Sequence, residues 1–262
     1  MQTSGFSAWL NGHFVGSYLG NASIEQANQT FLFPNATLPA SSNTLLIIHD
    51  DTGHDETTGA LNPRGILEAR LLSSDNSNTF THWRVAGTAG GESNLDPVRG
   101  AWNEDGLYAE RVGWHLPGFD DSAWPSTSAQ NLSFTGATVK FFRTTIPLDI
   151  PRGLDVSISF VLGTPSNAPS NAYRAQLFVN GYQYGRFNPY IGNQVEFPVP
   201  VGILDYTGEN TIGVAVWAQT EAGAAISVGW KVNYVADSSL DVAGLETSEL
   251  RPGWSEERLK YA

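Results

Sequence analysis

Apolar and polar residues alternate with a period of two along most of this chain, and helical periodicity is nearly absent. Residues 6–16 alternate on both sides of Asn11-Gly12, a pair that favours a tight hairpin turn because both positions need positive φ. Residues 43–49 form a continuous apolar run fit for a buried strand, and residues 65–72 predict another. Residues 81–87 predict a short strand, whereas residues 96–110 mix Gly, Pro, Asn and one Trp and predict an irregular connector. Further on, residues 139–147 and 156–163 carry the β-branched and aromatic alternation of strands. Residues 173–185 predict a second Asn-Gly hairpin. A strand interrupted by proline follows at 195–201, then a core strand at 210–219 and a last strand at 225–235. Only residues 256–261 have a helical pattern, too short to be stable alone.

Several of these marks occur twice. Trp9-Leu10-Asn11-Gly12-His13-Phe14-Val15-Gly16 recurs as Phe178-Val179-Asn180-Gly181-Tyr182-Gln183-Tyr184-Gly185. A Phe-Pro step follows in each copy, Phe33-Pro34 and Phe197-Pro198, and then an Asn-Thr that opens a β-rich run, at Asn43-Thr44 and Asn210-Thr211. The order is kept while the spacings differ, as loop lengths do between related domains. The fold expected is all-β: two jelly-roll β-sandwiches of the galactose-binding-like kind. The second copy is preceded by a strand-rich stretch from Trp114, and the first has only the residues before Trp9. The first sandwich is therefore expected to be N-terminally truncated. The expected limits are residues 1–80 for this partial sandwich, 81–112 for a connector with a short strand, and 113–262 for the second sandwich and a C-terminal tail.

Composition narrows the function classes. The chain has 14 Lys and Arg against 26 Asp and Glu, a net charge of −12, and no basic run that could neutralise a phosphate backbone. Nucleic acid is not an expected partner. No uninterrupted apolar stretch approaches the ~18 residues of a spanning helix, so no membrane is expected either. Residues 1–5 lack the charged start and apolar core of a secretion signal, so secretion would have to be directed from elsewhere. The absence of cysteine removes disulfides, thiol chemistry and thiolate metal sites. Asn21, Asn28, Asn35 and Asn131 each begin an Asn-X-Ser/Thr sequon and are candidate N-glycosylation sites.

The ordered series of motifs resembles the C-terminal jelly-roll region of a fungal β-galactosidase of glycoside hydrolase family 35. The carrying residues are Ala8-Trp9-Leu10-Asn11-Gly12, Asn62-Pro63-Arg64-Gly65-Ile66-Leu67, Trp83-Arg84-Val85-Ala86-Gly87 and Val98-Arg99-Gly100. Gly106-Leu107-Tyr108-Ala109-Glu110-Arg111, Ala172-Tyr173-Arg174, Phe197-Pro198-Val199-Pro200 and Gly202-Ile203-Leu204 complete them. The resemblance implies that an upstream (β/α)₈ barrel supplies the two catalytic glutamates of a retaining mechanism acting on terminal β-D-galactose. It therefore implies no catalytic residue here, no cofactor, the upstream barrel as partner and a secreted parent. An autonomous carbohydrate-binding module is the alternative reading.

The remaining suspicious residues admit two readings each. His49, Asp50, Asp51, His54, Asp55 and Glu56 form the densest group of potential ligands, yet they flank a Gly-centred loop, and a solvated loop is expected rather than a metal site. Asp120-Asp121 reads as turn chemistry, since adjacent carboxylates in an extended chain point apart whereas a retaining pair needs ~5 Å. Glu256-Glu257 reads as a solvated face. Trp217 and Trp230 lie in core-like strands and are expected to pack, while Trp102, Trp114 and Tyr190 lie in loop-like contexts and are the candidates for weak galactoside contact.

Overall fold

The computed structural model describes residues 5–21, 27–33, 38, 42–50, 65–72, 79–85, 107–128, 132–238 and 252–260. The chain divides into two compact units, Met1–Ala86 and Gly87–Ala262.

In the first unit, β1 (Gly5–Leu10) and β2 (His13–Tyr18) form the Asn-Gly hairpin, and β3 (Leu45–Asp50) pairs antiparallel with β1 on its other side. The sheet order is β2-β1-β3. Phe6, Tyr18 and Phe31 cluster over it, with Phe6 and Phe31 edge to face at 5.9 Å.

The second unit is a β-sandwich. One sheet has the order β5-β10-β7-β8 and the other β4-β11-β6-β9. The strands are β4 (Leu132–Phe134), β5 (Val139–Pro147), β6 (Leu154–Gly163), β7 (Tyr173–Val179), β8 (Tyr182–Phe187), β9 (Glu196–Pro198), β10 (Glu209–Ala218) and β11 (Ala224–Asp237). Period-two alternation turns Tyr173, Ala175, Leu177 and Val179 of β7 inward, with Ile212, Val214 and Val216 of β10, to meet Ile158, Phe160 and Leu162 of β6 and Ile226 of β11. Burial of such apolar area, worth about 25 cal/mol per Å², is the main stabilising term.

The repeat extends to the irregularities. Both hairpins pair their first two positions (Leu10 with His13 and Trp9 with Phe14; Val179 with Tyr182 and Phe178 with Gln183) and then shift register. The bulge twists each ribbon and brings a glycine under an aromatic ring. A methyl group at Gly16 would lie 2.7 Å from Phe31 Cε1, and one at Gly185 would lie 2.7 Å from Phe197 Cδ1. The ring equivalent to Phe197 is thus Phe31 and not Phe33, as the Phe-Pro match had suggested. Positions two apart share a face of an extended chain, so the sequence cannot separate them.

Some expected strands are absent. Residues 65–72 and 81–85 run without strand pairing, leaving Leu67 and Val85 exposed. An apolar run becomes a strand only where a neighbour completes its hydrogen bonds. The short helix α1 (Tyr108–Arg111) lies where a connector was expected, and residues 256–261 give a single 3₁₀ stretch, Glu256–Lys260. Trp230 is not core but 49% exposed, because β11 pairs with β4 only through residues 224–226 and runs on past it.

Candidate functional site

The two Asn-Gly turns and the two Asn-Thr steps prove to be halves of one device. Asn11 and Asn180 sit at φ 51° and 49°, and Gly12 and Gly181 follow at 83° and 86°. Asparagine tolerates this left-handed region, and glycine adopts it freely. The turn aims the asparagine amide at the start of the strand paired with the hairpin. Thr211 N donates to Asn180 Oδ1 at 2.8 Å, and Asn180 Nδ2 donates to Asn210 Oδ1 at 2.8 Å. In the first unit Thr44 N donates to Asn11 Oδ1 at 2.9 Å and Asn11 Nδ2 to Asn43 Oδ1 at 2.8 Å. The backbone N–H of each turn asparagine completes the set on the threonine carbonyl, at 2.9 Å to Thr44 O and 2.8 Å to Thr211 O. Sequence reading found both marks in each copy and missed the bonds between them.

The surroundings of the two clamps differ. Asn180 and Asn210 are 3% and 1% exposed. Asn180 Nδ2 also donates to Ile203 O at 2.7 Å, while Asn210 holds the backbone N–H and carbonyl of Asp205 at 2.7 and 2.8 Å. Pro252 and Leu116 close over the turn, so that a methyl group at Gly181 would lie 2.6 Å from Pro252 Cγ. The first clamp is solvent-facing, with Asn43 and Gly12 exposed and none of the described residues within 4 Å of a methyl group placed at Gly12.

A second layer covers the outer face of the β5-β10-β7-β8 sheet. Trp114 meets Tyr108, Trp124 and Phe141 edge to face at 5.7, 4.9 and 5.9 Å, and Phe141 lies 5.9 Å from Phe178. This layer explains why β10 is buried at nearly every position although its sheet is antiparallel. The charges on the same face are held in place. Arg143 Nη1 reaches Asp121 Oδ2 at 2.6 Å and its Nη2 donates to Leu116 O at 3.1 Å. Arg174 lies over Trp217 at 6.0 Å and donates to Gln219 Oε1.

Residues 252–260 act as a strap across this layer. Trp254 N donates to Pro117 O and its Nε1 to Val112 O, both at 2.9 Å, and Arg258 Nη2 donates to Glu110 O at 2.9 Å. His115 lies beneath, 1% exposed, with its ring 5.1 Å from that of Phe178. Burial, and then the Arg258 charge, hold its pKa down at about 3, so the imidazole is neutral at ordinary pH. Burial also pushes the Tyr173 hydroxyl up to about 12 and the Tyr184 hydroxyl higher still, which removes both as bases near neutrality.

Among the candidates, Trp114 is therefore a packing residue. Tyr190 is 47% exposed and follows Asn188, whose carbonyl accepts from Ile191 N and Gly192 N. Trp102, Asn35, Asn131 and residues 51–56 of the acidic loop lie outside the described residues. Asn21 and Asn28 are exposed. His49 and Asp50 end β3 side by side in sequence, and no group of three potential metal ligands occurs among the described residues. Asp120 forms an Asx turn with Ser122 N at 3.0 Å, and hydrogen bonds from the Ser122 side chain and then its backbone hold its carboxyl below the usual range, while Asp121 pairs with Arg143; the two acids serve separate partners. Glu256 and Glu257 are exposed, with Glu257 paired to Lys260 at 3.1 Å.

Comparison with known proteins agrees with this architecture. The family described as "Beta-galactosidase second all-beta domain" matches residues 1–55 and 108–222. A "Probable beta-galactosidase B" of Aspergillus niger is 86% identical over 98% of the chain, and one of Aspergillus fumigatus is 73% identical over 98%. The chain spans about a quarter of these relatives, 26% of each. A solved family 35 carbohydrate binding module from an environmental isolate covers 48% of this chain and 89% of its own at 15% identity. Its TM-score is 0.26.

Proposed function

Since the chain belongs to the family of β-galactosidase second all-beta domains, we propose that it is a non-catalytic, structural portion of a secreted β-galactosidase. Its parent would hydrolyse terminal non-reducing β-D-galactose by a retaining mechanism, with both catalytic carboxylates in a barrel contributed by the remaining length. The sandwiches, in residues 1–80 and 113–262 with a connector over 81–112, would brace that barrel. What supports this reading most is the assignment of polar and aromatic groups in the second unit. Asp120, Asp121, Arg143, Trp114 and Trp254 are each engaged in a turn, an ion pair or the aromatic layer, so they stiffen the domain instead of facing a substrate.

The test is direct. Purified chain should release no nitrophenol from nitrophenyl β-galactoside above a buffer control. Release that a galactose-type inhibitor abolishes would overturn the reading. A binding module is the second reading, favoured by the exposed Tyr190 ring, whose face could meet the C–H face of a pyranose. A saturable micromolar response to galactose or lactose, lost on Tyr190→Ala, would establish it.

A further inference from the structure

We infer that Asn11-Gly12 is a site of spontaneous deamidation in the folded chain and that its copy, Asn180-Gly181, is protected. The chemistry is intrinsic to an asparagine followed by glycine. The Gly12 backbone nitrogen attacks Asn11 Cγ; the N–Cγ bond forms and the Cγ–Nδ2 bond breaks. Nδ2 leaves as ammonia, taking with it the proton of the Gly12 N–H. Water then opens the five-membered succinimide at either carbonyl, giving aspartate or isoaspartate. No cofactor or co-reactant other than water takes part.

The two copies have the same intrinsic reactivity, since glycine follows asparagine in both and the turn φ angles agree within 3°. Attack requires the asparagine ψ to leave the left-handed turn, and it requires the side-chain amide to leave its clamp. The rate is therefore set by how readily each turn opens locally. At Asn11 the opening breaks the bonds to Thr44 N and Asn43 Oδ1 on an exposed tip where, among the described residues, none packs on Gly12. At Asn180 it must also break the bond to Ile203 O and lift the tip from under Pro252 and Leu116. Losing a buried hydrogen bond and its cover slows opening by about tenfold or more.

The product matters to the first unit. Aspartate at position 11 removes the Nδ2 donor and sets a carboxylate against Asn43 Oδ1, and isoaspartate adds a backbone atom to a two-residue turn. Either loosens the join between the hairpin turn and the start of β3, while the backbone ladder between β1 and β3 remains.

The experiment ages the full chain at mildly alkaline pH and warm temperature, then maps peptides by mass spectrometry with isoaspartate detection. A parallel sample is kept in denaturant. The expected result is conversion at Asn11 at least about ten times faster than at Asn180 in the folded chain, and comparable rates at both in denaturant. The Asn43→Ala variant, which removes one clamp partner, should convert faster at Asn11. It should leave the Asn180 rate unchanged, which separates a local effect from general unfolding. Equal rates at the two sites in folded protein, or no conversion at Asn11 where the denatured sample converts, would overturn the inference.

Discussion

Asn180→Ala should destabilise the second unit far more than its counterpart Asn11→Ala destabilises the first. The Asn180 side chain makes three hydrogen bonds, to Ile203 O, Asn210 Oδ1 and Thr211 N, at 2.7, 2.8 and 2.8 Å. At about 1 kcal/mol each these amount to about 3 kcal/mol, and the partners left buried without bonds push the loss upward. Alanine at φ 49° adds about 1 kcal/mol of left-handed strain. The expected loss is about 4 kcal/mol, or roughly 8–16 °C in Tm for a unit of this size. Asn180→Gly keeps the backbone relaxed and should recover about 1 kcal/mol of it, which divides the strain from the bonds. Asn11→Ala breaks solvent-facing bonds that water replaces, and should cost about 1–2 kcal/mol, most of it strain. The assay is thermal and urea unfolding followed by site-resolved hydrogen exchange, which reads the two units separately. If Asn180→Ala proves no more costly than Asn11→Ala, the clamp is not what holds the second hairpin.

Two further outcomes follow from the same geometry. In the folded state His115 binds its proton only near pH 3, whereas in the unfolded chain it binds one near 6.5. Between those values the unfolded state holds more protons, so stability present above about pH 6.5 is lost as pH falls, by at most about 1.4 kcal/mol per unit. A His115→Asn variant, measured against the parent by urea unfolding from pH 7 to pH 4, should show a shallower decline; parallel curves would refute the assignment. Expressed through a fungal secretory route, the chain should carry glycans at the exposed Asn21 and Asn28, seen as mass removed by an amidase and absent from Asn28→Gln at that site. Bare peptides at both positions would count against the secreted reading.

Much of the architecture was legible in the pattern of residues. The alternation placed β5, β7, β10 and β11 within a residue or two, because a strand's two faces impose a period of two whatever the fold around it. The Asn-Gly pairs fixed both hairpins, since few residue pairs adopt consecutive positive φ. The repeat predicts a separate sandwich for each hairpin, and the structure places the hairpins in separate sheets.

What the sequence determined is therefore local: dihedrals, period and the order of strands. Tertiary structure alone decided the partners. It made Trp114, which lies in a loop-like stretch of sequence, a packing residue and left Trp230, which lies in a core-like strand, exposed. It withheld strand pairing from residues 65–72, chose Phe31 over Phe33 for Gly16, and joined Asn180 to Asn210 across 30 positions. It also buried one clamp beneath Pro252 and exposed the other. The reason is physical: burial and hydrogen-bond completion depend on which distant segments arrive, and neither propensity nor period records that.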